Sequence, residues 1–73
     1  MKVFNYTVVI EKDEDDNFLA LCPALQGCYS EGSTEKEALE MIKDAIKLHI
    51  EDRIANNELL YEEVFSEKVE VIV

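Results

Sequence analysis

Few side chains in this sequence have the means to do chemistry. His49 is the only histidine. A helical reading places it near the middle of an apolar arc, one turn past Ala45 and Ile46. That is the setting of a partly buried, neutral, hydrogen-bonded imidazole rather than of a base or a ligand. No second histidine completes a metal site, and Glu35, Asp44 and Asp52 are not spaced to orient the first. Asp13, Glu14, Asp15 and Asp16 form the densest run of carboxylates. The run lacks the alternating oxygen ligands, central glycine and distal glutamate of a calcium loop. It reads as a solvated turn, with electrostatic contact to a basic partner as its functional alternative. Two-metal nucleases need carboxylates from strand interiors and a helix that hold metals ~3.5–4 Å apart. Here the first apolar run carries Asn5 and Thr7 inside it and its one acid, Glu11, near its end, so metal-assisted hydrolysis is not expected.

The remaining nucleophiles are no better placed. Cys22 and Cys28 are not in a C-x-x-C arrangement and have no basic neighbours to lower a thiol pKa. Cysteine is among the residues most often fully buried, and two structural thiols are expected. Ser30, Ser33 and Thr34 have no base at hand, and Gly27 and Gly32, the only glycines, make no phosphate loop. No catalytic, cofactor-binding or metal-binding residue is predicted, and no enzyme.

The elements that position these residues follow from periodicity. Residues 3–12 alternate, with Phe4, Tyr6, Val8 and Ile10 on one face and Val3, Asn5, Thr7, Val9 and Glu11 on the other. This predicts a strand with one apolar and one mixed face. The Asp13–Asn17 turn leads to a second strand at Phe18–Cys22, giving an antiparallel hairpin. Pro23 lacks an N–H and stops the ladder, and Gly27 is free to take positive φ in the compact connection that follows. A short third strand, Cys28–Ser30, leads to Thr34 and Glu37, which have the spacing of a capping box. A helix is expected from Glu35 to Asn56. At about 100° per residue, Ala38, Leu39, Ile42, Ala45, Ile46, His49 and Ile50 form its apolar stripe, with Met41, Leu48 and Ile54 on the flanks. Asn56 and Asn57 end it. Residues 58–66 are acidic but carry Leu59, Leu60, Tyr61, Val64 and Phe65, which should tie the segment down. Val69, Val71 and Val73 predict a last strand, placed beside the first by a right-handed crossover. The expected fold is α+β, a two-layer β-β-β-α-β sandwich.

Length and charge narrow the function. The 73 residues allow one domain, 1–73, with a thin core. A core of this size seldom yields more than ~3–5 kcal/mol unaided, so a homodimer is expected. The formal net charge is −10, from 17 acidic and 7 basic residues. Phosphate backbones are bound by clustered Lys and Arg, so direct nucleic-acid binding is not expected, nor is docking on an anionic membrane. An acidic surface suits a basic protein partner. No signal-peptide pattern or long apolar run is present, and two cysteines are too few for a disulfide scaffold. A cytoplasmic setting is expected.

The segment from Tyr6 to about Arg53 resembles the HicB-like antitoxins. The residues that carry the resemblance run from Phe18 through Pro23, Leu25, Gly27 and Cys28, then through Gly32, Thr34, Glu37 and Ala38. They are similar to that family's strand ending at a Pro-x-Leu-x-Gly-Cys turn, followed by a Gly-x-Thr-x-x-Glu-Ala helix start. The resemblance implies a partial ribonuclease-H-like fold without nuclease activity. It also implies a partner, a small basic HicA-type toxin that cleaves RNA and whose catalytic surface the antitoxin blocks. Many members carry a C-terminal DNA-binding domain; this chain reaches Val73 without one, so operon autorepression by it alone is not expected. The partner-contacting residues expected first are Asp13, Glu14, Asp15 and Asp16, then the helix acids Glu40, Asp44 and Glu51. The alternative is an orphan homo-oligomeric accessory domain with no toxin, suggested by the broad apolar arc; a degenerate nuclease is a distant third.

Overall fold

The computed structural model describes residues 3–60 and 63–73. Three strands and a helix follow one another: β1 (Val9–Lys12), β2 (Phe18–Leu21), β3 (Tyr29–Gly32) and α1 (Glu35–Ala55). The sheet has the order β1-β2-β3 and is antiparallel throughout. The protein is therefore a small α+β domain.

The ladder of β1 is shorter than the alternating run from Val3 suggests. Its register pairs Val9 with Leu21, which sets Thr7 opposite Pro23. Pro23 has no N–H to give, so residues 3–7 run past the end of β2. Their alternation still holds: Phe4, Tyr6, Val8 and Ile10 pack against the core, and the Phe4 and Tyr6 rings stack 6.4 Å apart. The Pro23–Gly27 connection is two tight turns. Leu25 N–H donates to the Cys22 carbonyl at 3.1 Å, and Cys28 N–H donates to the Leu25 carbonyl at 3.0 Å. Gly27, third in the second turn, has φ +79°, the backbone that a type II turn requires there. Leu25 is thereby turned inward and buried.

Helix α1 begins at Thr34, whose hydroxyl accepts from Glu37 N–H at 3.0 Å. The expected reciprocal half of the capping box is shifted by one residue. Glu37 accepts from the Ser33 amide at 3.4 Å and the Ser33 hydroxyl at 3.1 Å instead. At the other end Asn57 takes φ 55°, with Glu58 N–H on the Arg53 carbonyl and Asn57 N–H on the Ile54 carbonyl. This is a Schellman motif with asparagine in the left-handed position. The helix lies over β3 and β2 and covers β1 least. Ala38, Ile42 and Ile50 meet Ala20, Cys22, Leu25 and Cys28 in the core, flanked by Ala45 and Ile46.

Two expectations are corrected. Leu39, assigned to the buried stripe, is exposed, because the covered arc is centred on Ala38 and Ile42. The closing strand of the β-β-β-α-β arrangement is not formed: residues 67–73 join no ladder and are exposed. The reason lies upstream. The Glu63 carboxylate accepts from the Thr7 amide at 2.7 Å and from its hydroxyl. The Thr7 amide faces the β2 side, as the Asp13 amide does in pairing with Asn17, so this anchor holds the chain beside Pro23 rather than along the outer edge of β1. Tyr61, among the apolar residues expected to tie down 58–66, lies outside the described residues; Leu60 packs on the core, whereas Val64 and Phe65 are exposed.

Candidate functional site

The acidic hairpin turn is held by its own first residue. Asp13 Oδ1 accepts from the Asp15 and Asn17 amides, each at 2.9 Å, and Asp13 N–H donates to the Asn17 carbonyl at 2.9 Å. One carboxylate is thus spent on the backbone, as short polar side chains do in turns. Asp16 adopts φ 61° and pairs with Lys12 at 3.2 Å, an exposed contact of little energetic weight. Glu14 and Asp15 are fully presented to solvent. The four acids therefore divide: Asp13 builds the turn, Asp16 has a local cation, and Glu14 and Asp15 are free for a partner's charge.

The helix acids occupy a different surface. Glu40, Asp44 and Glu51 are exposed. Beside them stand Met41 and Leu48, 53% and 67% exposed, two turns apart on one line of the helix surface, with the three acids along one flank. The result is an apolar ridge with an acidic border. The register sets Lys12, Phe18 and Gly32 side by side, just before the helix begins. The hairpin turn therefore shares an end of the domain with Glu40. Glu51 lies about 16 Å farther along the helix, at a rise of ~1.5 Å per residue.

A third surface escaped the sequence reading. The sheet face turned from the helix bears a cross-strand row of Val9, Leu21 and Tyr29, and beside it Glu11, Leu19 and Glu31. Tyr29 is 61% exposed. The signal was present in β2, where Leu19 and Leu21 make the second face as apolar as the first, yet only one helix is available to cover them.

The residues considered for chemistry are placed structurally. Cys22 and Cys28 are both free and buried. Burial pushes both thiols above their ordinary pKa, more than the turn amides or Arg53 pull them down. Cys22 N–H donates to the Cys28 carbonyl at 3.1 Å, so they lie opposite each other where the sheet ends. Glu63 is held below its ordinary pKa by the hydroxyl and amide of Thr7. His49 is half-buried on the helix. Ser30 donates to the Ala38 carbonyl at 3.0 Å, which ties β3 to the first turns of the helix. Among the described residues, no group of three His, Cys, Asp or Glu side chains could hold a metal ion. Among them, too, no helix is long and apolar enough to cross a membrane.

In the motif that spans β2 to the helix start, each residue has a structural role. Pro23 ends the ladder, Gly27 takes the left-handed turn, and Gly32 lets the helix approach. Thr34 caps it, Glu37 holds Ser33, and Ala38 is fully buried under β3. The result is an α+β domain with this junction and with acids displayed on its outer surfaces. The sequence model of the HicB-like antitoxins of bacterial toxin–antitoxin systems matches residues 6–71. The chain belongs to that family. A UPF0150 protein of Synechocystis, ssr1765, is 46% identical over 57 residues, covering 78% of this chain and 72% of the relative. Another, Ta0767 of Thermoplasma acidophilum, is 51% identical over 53 residues, or 73% of this chain and 77% of the relative. A 14.9 kDa protein of Haemophilus phage HP1 is 38% identical over 55 residues, which cover 75% of this chain but 41% of the phage protein. No solved structure matches the chain. Family membership points to a role in a toxin–antitoxin system, with a toxin as partner.

Proposed function

We propose that this chain neutralises a small basic HicA-type toxin by protein–protein contact, covering the surface with which the toxin cleaves RNA. The chain contributes shape and negative potential and performs no catalysis. The observation that carries this reading is the helix surface, where exposed Met41 and Leu48 are flanked by Glu40, Asp44 and Glu51. Interfaces are built in this way, with an apolar centre that excludes water and a charged rim that guides encounter. The hairpin acids Glu14 and Asp15, with Asp13 and Asp16 beside them, extend the negative field toward the helix N-terminal end. The proposal takes residues 1–73 as one domain, working in the cytoplasm without cofactor, nucleic acid or membrane. Its antiparallel meander followed by a helix is compatible with a partial ribonuclease-H-like arrangement.

The test is association with the basic protein of about 60–90 residues, one small domain, encoded beside this chain. Reversing Glu40, Asp44 and Glu51 to lysine should slow association about tenfold or more at low salt. Met41→Ala with Leu48→Ala should speed dissociation. Reversal at Glu14 and Asp15 should slow association while changing dissociation little. If no basic neighbour binds, or if binding ignores all three sets, the proposal fails. Self-association without a toxin is the second reading, favoured by the exposed apolar segment after Ser66.

A further inference from the structure

Residues 67–73, Glu-Lys-Val-Glu-Val-Ile-Val, have the alternation and β-branched content of a strand, yet Val69, Val71 and Ile72 are 78%, 74% and 87% exposed. Monomeric soluble proteins seldom leave such a contiguous apolar segment in water. The same molecule carries a matching vacancy. Among the described residues the outer edge of β1 has no strand beside it, and exposed edges of this kind are ready templates for another chain. Because the helix sits toward β3, a groove of about 530 Å³ opens between residues 4–8 and the helix flank. Tyr6, Val8, Ile46, Ile50 and Ile54 line it.

The residues that lead into the segment are anchored on the sheet face opposite the groove. Thr7 and Val9 belong to the sheet face away from the helix, because Tyr6, Val8 and Ile10 are the residues packed on the core. Glu63, Val64, Phe65 and Ser66 lie against Thr7, Val9, Pro23 and Ala24, on that outer face. The chain is fastened there by the Glu63–Thr7 hydrogen bonds, and residues 67–73 beyond it are exposed and join no strand.

We propose that residues 69–73 of one copy lie as a strand along the free β1 edge of a second copy, with alternate valines in its groove, and that the exchange is reciprocal. The inference deepens the self-association reading above and does not depend on a toxin. Charge selects this occupant over a basic partner. Lys43 and Lys47 stand at the groove with one acid, Glu51, which leaves a local excess of positive charge on a chain of net charge −10. They repel a lysine-rich protein and suit the Glu67 and Glu70 of the arriving segment. A two-fold exchange satisfies both donor and acceptor in each copy, as isologous dimers do. It leaves the hairpin turn, Met41 and Leu48 outside the groove, with Glu51 alone shared between the groove and the acidic border of the ridge.

The experiment uses the full chain. Light scattering should give a dimer. In an equal mixture of carbon-13-labelled and unlabelled protein, filtered nuclear Overhauser spectra should connect Val71 or Val73 methyls of one copy to Tyr6 or Ile46 of the other. Val71→Glu should weaken dimerisation at least about a hundredfold, since each dimer loses two buried valines, with helical circular dichroism unchanged. Lys43→Glu with Lys47→Glu should weaken it too, and adding Glu67→Lys with Glu70→Lys should restore it. A monomer at high concentration, contacts only within one chain, a dimer joined elsewhere, or a Val71→Glu dimer of parent strength would each overturn the proposal. Toxin association measured on Val71→Glu separates the two readings: it is expected to be intact, and its outcome leaves the dimer result standing by itself.

Discussion

Gly32 offers the clearest perturbation of the junction between sheet and helix. A Cβ built there would lie 2.6 Å from the Ala38 backbone nitrogen and 3.1 Å from both Ala38 Cα and Glu37 C. All three are backbone atoms, and all are closer than the ~3.5–4.0 Å at which carbon atoms attract. Relief requires moving the start of α1 away from β3, against Ala38 and Ile42, which are fully buried. Overpacking of this kind costs about 1–3 kcal/mol, offset by ~0.4–1 kcal/mol from a stiffer unfolded chain. Gly32→Ala should therefore lose about 1–2 kcal/mol. In a domain of this size that lowers the melting temperature by ~4–16 °C. Gly27→Ala is the control. Its Cβ would meet nothing within 4 Å, and its cost comes only from φ +79°. Thermal melts at one fixed protein concentration, followed by circular dichroism, would compare Ala and Val at both positions. The loss should grow with side-chain size at 32 and stay level at 27, apart from the added cost of β-branching in a left-handed position. Gly32→Val melting no lower than Gly32→Ala, or Gly32→Ala within about 2 °C of the parent, would refute close helix approach as the reason for this glycine.

Ile42→Ala opens a cavity at a fully buried position and should cost ~2–5 kcal/mol, most of what a core this small supplies. A variant that keeps a cooperative melt close to the parent would contradict that core assignment. The thiols of Cys22 and Cys28 should react with alkylating reagents far more slowly in the folded protein than in denaturant; equal rates would show that they are not buried. Because burial raises their folded pKa, the stability they contribute is complete below the unfolded thiol's pKa and is lost as pH rises through the folded value. Denaturation midpoints should fall on the alkaline side, and a flat profile there would count against it. Glu63 has the opposite sign: its pKa is lowered, so its contribution is present above the ordinary carboxylate range and is lost as pH falls through the folded value. The Thr7 amide resonance should titrate in that acid range and cease to do so in Glu63→Gln; an amide indifferent to pH would remove the latch.

The hairpin, the tight connection and the helix were legible because each has a local cause. Asp13 closes its own turn, Pro23 and Gly27 set backbone angles, and Thr34 and Asn57 cap the helix with groups at most a few residues away. The acids proposed to meet a partner were legible only as charge. That Asp13 is consumed by its turn, and that Met41 and Leu48 stand among the helix acids, depended on seeing which arc of the helix the sheet covers. The outer sheet face was missed because Leu19 and Leu21 look like core until the number of covering helices is known.

The sequence by itself determined the order of the strands and helix, the core face of the first strand and the family junction, since spacing and backbone chemistry act over a few residues. Only the tertiary structure decided the path of the chain after the helix. Val69, Val71 and Val73 alternate as a strand would in any setting, and alternation carries no address. A carboxylate on Thr7, fifty-six residues earlier in the chain, places the segment before them on the outer face of the sheet. A contact at that separation is fixed by where two surfaces meet, and no local pattern encodes it.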